Sequence, residues 1–255
     1  MSREPLSGPL PRSRVVRNAP FALFERLIDH APLYPPASLP LPEAVAEDER
    51  ARQSRYSFAL GRFVCPASLL PSLSDVGRGV TVVLDAPLAS DPRVEAVEAP
   101  PGTKLSTLRG LAHETYVEVP LDDELEDRLA EIAAHGFRAK ARCTGGPPEL
   151  GRFLRECRAR KLPFKLTAGL HHAIRTNGEH GLLNVLAAAV LGDEDALRED
   201  DASAFALTAD ELHWRGRVAD AEQIAVERSE RLHSVGSCSF FEPIEELEAL
   251  GIIAP

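Results

Sequence analysis

The 255-residue chain reads as an α/β fold, a (β/α)8 barrel that is irregular in its first half. Three observations predict it. Strand-like and helix-like runs alternate along most of the chain. About eight runs have strand character, the number that closes such a barrel. Three successive strands share one clean apolar parity, as strands covered by helices require. An open α/β sheet is the alternative arrangement of the same elements.

In chain order, residues 1–18 are rich in Pro, Arg and Ser and read as a disordered arm, leaving 19–255 as one barrel domain. In FALFERLIDH (21–30), Phe21, Phe24, Leu27 and Ile28 recur at helical spacing. APLYPPASLPLPEAVAEDERARQ (31–53) begins as a proline-rich loop and ends as a helix. Strands are predicted in SFALGRFVCP (57–66), VTVVLDAP (80–87), RVEAVEAP (93–100), TYVEVP (115–120), FRAKARC (137–143) and PFKLTAG (163–169). Two fainter strand signals lie within AFALTADELHWRG (204–216) and SCSFF (237–241). Helices are predicted at 122–136, ending on Gly136, at 147–161 after two prolines, and at 180–192, apolar nearly all round. A long amphipathic helix is predicted at 218–236. The second and third strands lie too close together for a crossover helix, which is why the first half is expected to be irregular.

Composition narrows the function. Hydrophobic residues make up 44% and charged residues 27%, a globular balance. The net charge of −10 argues against a nucleic-acid or anionic-membrane surface. No stretch approaches 18 apolar residues and the N-terminus shows no apolar leader, so no membrane partner is expected. Cys65, Cys143, Cys157 and Cys238 form no CxxC pair and fit no zinc spacing. They read as reduced thiols of a cytoplasmic protein. Homo-oligomerisation is left open.

The chemistry is carried by charges inside strands. In FRAKARC, Phe137, Ala139 and Ala141 share one face, while Arg138, Lys140 and Arg142 share the other. In TYVEVP, Glu118 lies opposite Val117 and Val119. In PFKLTAG, Lys165 and Thr167 lie opposite Phe164 and Leu166. With the apolar parity under the helices, Glu118, Lys140, Arg142 and Lys165 converge inside the barrel. Buried charges persist only when paired or used. Lys140 and Arg142 beside Lys165 predict a lowered amine pKa, hence a Schiff-base nucleophile. The rival role for Lys165 is a fixed cation that anchors a carboxylate or phosphate.

His171 and His172, just past that strand, are candidate proton carriers. Gly145 and Gly146 of CTGG, and Gly236, Ser237 and Ser239 of SVGSCSFFEP, are candidate anion-binding loop positions. A metal-dependent hydrolase built on His171, His172 and His180 is the second functional class. The favoured site, however, is expected to need no metal and no cofactor. A non-catalytic binding or assembly protein, its inner charges a neutralised structural network, is the third. The first choice is an enzyme of lyase, aldolase or isomerase type acting on a small anionic carbonyl compound. In it Glu118, Lys165, His171 and His172 do the chemistry, and Lys140, Arg142 and Thr167 help bind.

Two resemblances accompany these residues. KLTAG (165–169) resembles the strand-end KTSTG of deoxyribose-phosphate-type class I aldolases, which implies a Schiff base on Lys165. LYPPASLPLPEAV, ALGRFVCPASLL, AKARCTGG, PFKLTAGLHHAIR and VGSCSFFEP together are similar to a set of uncharacterised bacterial and plant TIM-barrel-like proteins. That likeness implies the barrel and carries over no activity or site residue.

Overall fold

A computed structural model describes residues 18–253. The expected arm at 1–18 therefore lies outside the described residues except for Asn18. Its side chain accepts a hydrogen bond from the Phe21 amide at 3.0 Å and so caps α1 (Ala19–Phe24).

Eight parallel strands close a barrel. In chain order the first half runs β1 (Ile28–His30), α2 (Leu41–Gln53), β2 (Leu60–Pro66), β3 (Val80–Val83), β4 (Val94–Ala99) and β5 (Glu114–Glu118). The second half runs α3 (Leu125–Ala134), β6 (Arg138–Arg142), α4 (Pro147–Arg160), β7 (Phe164–Thr167) and α5 (Leu182–Leu191). Then come β8 (Phe205–Leu207), β9 (Glu211–Trp214), β10 (Arg217–Asp220), α6 (Ala221–Glu230), β11 (Leu232–Ser237) and α7 (Phe241–Ala249). Around the barrel the order is β1, β11, β7, β6, β5, β4, β3, β2.

The predicted barrel is present, and its first half is irregular as expected. No α-helix follows β2, β3 or β4. The outer faces of these strands still need cover, and loop residues supply it. Leu70, Leu73 and Val76 pack with Ala44 of α2 over Phe63, Val80, Val82 and Val97. In the second half α3 and α4 do this work, with Leu129, Ile132, Phe153 and Leu154 buried over Ala139, Ala141 and Leu166. α3 stops at Gly136, whose φ of 73° suits a residue without a side chain.

Three expectations need correction. The eighth barrel strand is not in 204–216. That stretch forms β8 and β9, which join β10 in a separate antiparallel sheet. The missing barrel strand is β1, inside the stretch read as helix. The helix ends at Phe24, and Arg26 turns the chain with a φ of 50°. Residues 28–30 then pair with both β2 and β11 and close the barrel. Closure supplies hydrogen-bonded neighbours on both sides, which outweighs a helical spacing only two turns long. Likewise the long helix predicted at 218–236 is three elements. A capping box between Asp220 and Gln223 starts α6. The chain re-enters the barrel at Leu232, five residues earlier than the predicted strand at 237–241.

Asn184 is a buried polar residue in the apolar helix α5. It accepts from the Arg175 amide at 2.8 Å and donates to the Ala196 and Glu199 carbonyls at 2.7 Å, tying loops to α5. The lone tryptophan, Trp214, packs in the core and donates to Glu199 at 3.2 Å.

Candidate active site

Parity places the inner charges. Register pairs Glu118 with Lys140, Lys140 with Lys165, and Arg142 with Thr167 across neighbouring strands. Opposite them, β1 contributes Asp29 and β4 contributes Glu98. Both are buried.

These residues form a chain of alternating charge. The Lys165 ammonium lies 2.6 Å from Asp29 Oδ2 and 2.6 Å from Glu98 Oε1. Lys140 lies 2.5 Å from Glu98 Oε2 and 2.9 Å from Glu118 Oε2. Asp29 also accepts from Ser234 Oγ at 3.0 Å and from the Arg62 amide at 2.8 Å. Lys165 sits 5.4 Å from the centre of the Tyr116 ring, on whose face a cation is favoured. Each buried charge thus has an opposite neighbour, the condition under which burial is tolerated.

The electrostatics reverse one expectation. Burial pulls the Lys165 pKa down, but Asp29 and Glu98 outweigh it and hold the pKa above the ordinary lysine value. The lowered pKa expected from neighbouring cations does not occur, because carboxylates are the nearest charges. Burial likewise pushes Glu98 up, yet Lys140 and Lys165 bring it down to about 2. Asp29 is lowered in the same way, by Lys165 and Arg62 acting against burial.

Above this chain, at the C-terminal ends of the strands, lies a cavity of about 190 Å³. Glu98, Glu118, Lys140, Arg142 and Thr167 line its barrel side. His171, Gly236, Ser237 and Cys238 contribute from the loops. Lys165 has no exposed surface and lies below. The Tyr34 hydroxyl, on another lining residue, is buried with no hydrogen-bond partner. Burial and then Glu98 raise its pKa, so it stays a neutral donor. Directly after β7, Ala168 and Gly169 have φ of 63° and 75°. An alanine in this left-handed region is uncommon, and such strain gathers at functional loops.

A wider depression of about 720 Å³ opens at the other end of the barrel. Several of its charges pair with one another, while the Arg228 guanidinium bonds backbone carbonyls. Arg62 bonds Glu95 at 3.0 Å and Glu114 at 2.8 Å, and Arg138 reaches Glu114 at 3.5 Å. Tyr116 Oη lies 2.9 Å from Glu114 and 2.9 Å from His233 Nδ1. Arg138, which shares the strand face of Lys140 and Arg142, is part of this network. The C-terminal mouth is the stronger candidate, because barrel chemistry resides there.

Of the predicted positions, His172, His180, Gly145, Gly146 and Ser239 are not among the cavity's lining residues. His172 turns to Glu246 at 2.8 Å. His180 donates to the Gly145 carbonyl at 2.9 Å, while His171 lies 3.3 Å from Glu242. The three histidines therefore face three different partners. Among the described residues no cluster of His, Cys, Asp and Glu has the geometry to hold a metal. Gly145 and Gly146 lie against Leu121 and Glu149 at the start of α4. Ser239 Oγ accepts from the Glu242 amide at 3.2 Å. Asp85, in the predicted strand at 80–87, accepts from Ser68 at 2.9 and 2.5 Å outside the site.

Sequence reasoning missed Asp29, Glu98 and Tyr34. Glu98 was within reach of the parity argument, since it alternates with Val97 and Ala99 in a predicted strand. Asp29 was hidden by the helical spacing around it.

Fold and site together define an eight-stranded parallel barrel with a buried charge chain beneath a small polar cavity. A scan of protein-family models gives no match to this chain, and a search of curated proteins gives none either. No helix among the described residues is long and apolar enough to cross a membrane.

Proposed function

We propose that the protein is an enzyme of lyase or isomerase type acting on a small anionic carbonyl compound bound at the C-terminal mouth. The observation that carries this reading is Lys140, held on the cavity wall between two carboxylates. A carbonyl oxygen set against its ammonium is polarised. The Tyr34 hydroxyl supplies a second donor. Glu118 then takes the proton from the adjacent carbon, and the C–H electron pair moves onto the carbonyl oxygen as an enolate. Glu98 is oriented by Lys165, which acts as a fixed cation. His171 serves as a proton carrier at the rim.

The Schiff-base form of this chemistry moves from Lys165 to Lys140, because Lys165 presents no surface to a ligand. There the Lys140 ammonium gives one proton to Glu118, and its nitrogen bonds the carbonyl carbon. The oxygen leaves as water when the imine forms. A cytoplasmic setting is supported by four free cysteines, all buried.

Lyases and isomerases of this kind share removal of a proton beside a carbonyl. NMR in D2O with a panel of small aldehydes, ketones and oxo acids tests it. Enzyme-dependent exchange of those protons, lost in Lys140→Met and Glu118→Gln, is the expected result. No exchange above buffer with any member of the panel overturns the reading. Borohydride trapping followed by peptide mapping then separates an imine on Lys140 from simple enolisation.

A further inference from the structure

We infer that the anionic group of the ligand is a single planar carboxylate held by Arg142, so that the substrate class is small monocarboxylate oxo acids rather than phosphate esters. The inference rests on the cavity being the site of carbonyl chemistry proposed above.

Four observations converge. Arg142 ends β6 on the inward parity and lines the cavity, and it makes no ion pair or hydrogen bond among the described residues. The other two inner cations, Lys140 and Lys165, are already committed to carboxylates. A free guanidinium presents a planar fork that fits a carboxylate in two parallel hydrogen bonds.

Charge balance sets the valence. Asp29, Glu98 and Glu118 oppose Lys140, Lys165 and Arg142, so the chain and its rim are neutral. A monoanion adds one charge beside Arg142. A phosphate dianion adds two within a cavity that Glu98 and Glu118 also line.

The side chains of the late loop do not favour a phosphate. Ser239 Oγ already serves the Glu242 amide, Ser237 Oγ donates to the Ser239 carbonyl at 2.7 Å, and Glu242 places a carboxylate in the first turn of α7. These bonds engage the Ser237 and Ser239 hydroxyls within the loop. Size agrees: about 190 Å³ falls below the roughly 300–1,000 Å³ of pockets for drug-sized ligands.

Binding of pyruvate, inorganic phosphate and acetaldehyde to the full chain, by calorimetry or ligand-observed NMR, tests the assignment alongside Arg142→Gln and Arg142→Lys. Pyruvate is expected to bind at least about tenfold more tightly than phosphate, and Arg142→Gln to weaken it by about tenfold or more. Arg142→Lys restores part of the affinity, and acetaldehyde is indifferent to both changes. Unchanged thermal melting of the variants shows that they fold. Phosphate binding as tightly as pyruvate, or pyruvate affinity unmoved in Arg142→Gln, overturns the inference. Exchange of acetaldehyde protons without any carboxylate preference leaves the carbonyl chemistry standing and removes the oxo-acid class. Arg142-dependent pyruvate binding without exchange on any compound supports the carboxylate site and removes the chemistry.

Discussion

Lys165 joins Asp29 at 2.6 Å, tying β7 to β1 across the intervening β11. The same ammonium reaches Glu98 on the opposite wall. One fully buried side chain thus bridges the strand that closes the barrel and the residue that floors the cavity.

Loss of that bridge is expected to be costly. Lys165→Met leaves two buried carboxylates without their cation and should destabilise the fold by about 3–5 kcal/mol in denaturant titration. The double variant Asp29→Asn/Lys165→Met should lose less than the sum of the two single changes, with a coupling above about 1 kcal/mol. Strict additivity would show that the two charges do not act as a pair.

Acid should act in two phases. Burial, reinforced by Arg138, Arg228 and Arg62 against an opposing Glu114, lowers the His233 pKa from 6.5 to about 4. A depressed histidine is neutral in the fold while the unfolded chain takes up a proton, so stability is full above 6.5 and is lost as pH falls toward 4. At 1.36 kcal/mol per unit the gap is worth about 3 kcal/mol at most. Glu98 follows lower down, since its contribution is present above 4.5 and is lost as pH falls toward about 2. Urea midpoints between pH 7 and 4.5 should fall in the native protein and stay flatter in His233→Gln, with the lower phase retained. Identical profiles would remove His233 from the account.

Gly61 should resist any side chain. A Cβ there would overlap Asp29 Oδ1 and lie 3.1 Å from the carbonyl oxygens of Arg26 and Ile28. Gly61→Ala is expected to cost about 1–3 kcal/mol by displacing the Asp29 carboxylate or the β1 backbone. A variant as stable as the native protein in thermal or urea unfolding would mean that the strand relaxes freely.

Much of the barrel was legible because strand alternation and helix periodicity are local signals. The inward parity of Glu118, Lys140, Arg142 and Lys165 followed from three runs, since alternation is fixed by backbone geometry. β1 was not legible. Three residues carry no periodicity of their own, and their strand state depends on partners 32 or more positions away in β2 and in β11. β8 and β9 lie in a stretch that reads as barrel for a related reason, because short strands look alike until their neighbours are known.

The sequence by itself determined that Glu118, Lys140, Arg142 and Lys165 share inward parities, because a strand's alternation belongs to the chain alone. Only the tertiary structure decided what those charges meet, because pairing partners come from strands far apart in the chain. Closure brought Asp29 and Glu98 to Lys165 and turned an expected free amine into a held ammonium. It also left Lys140 and Arg142, not Lys165, facing the cavity.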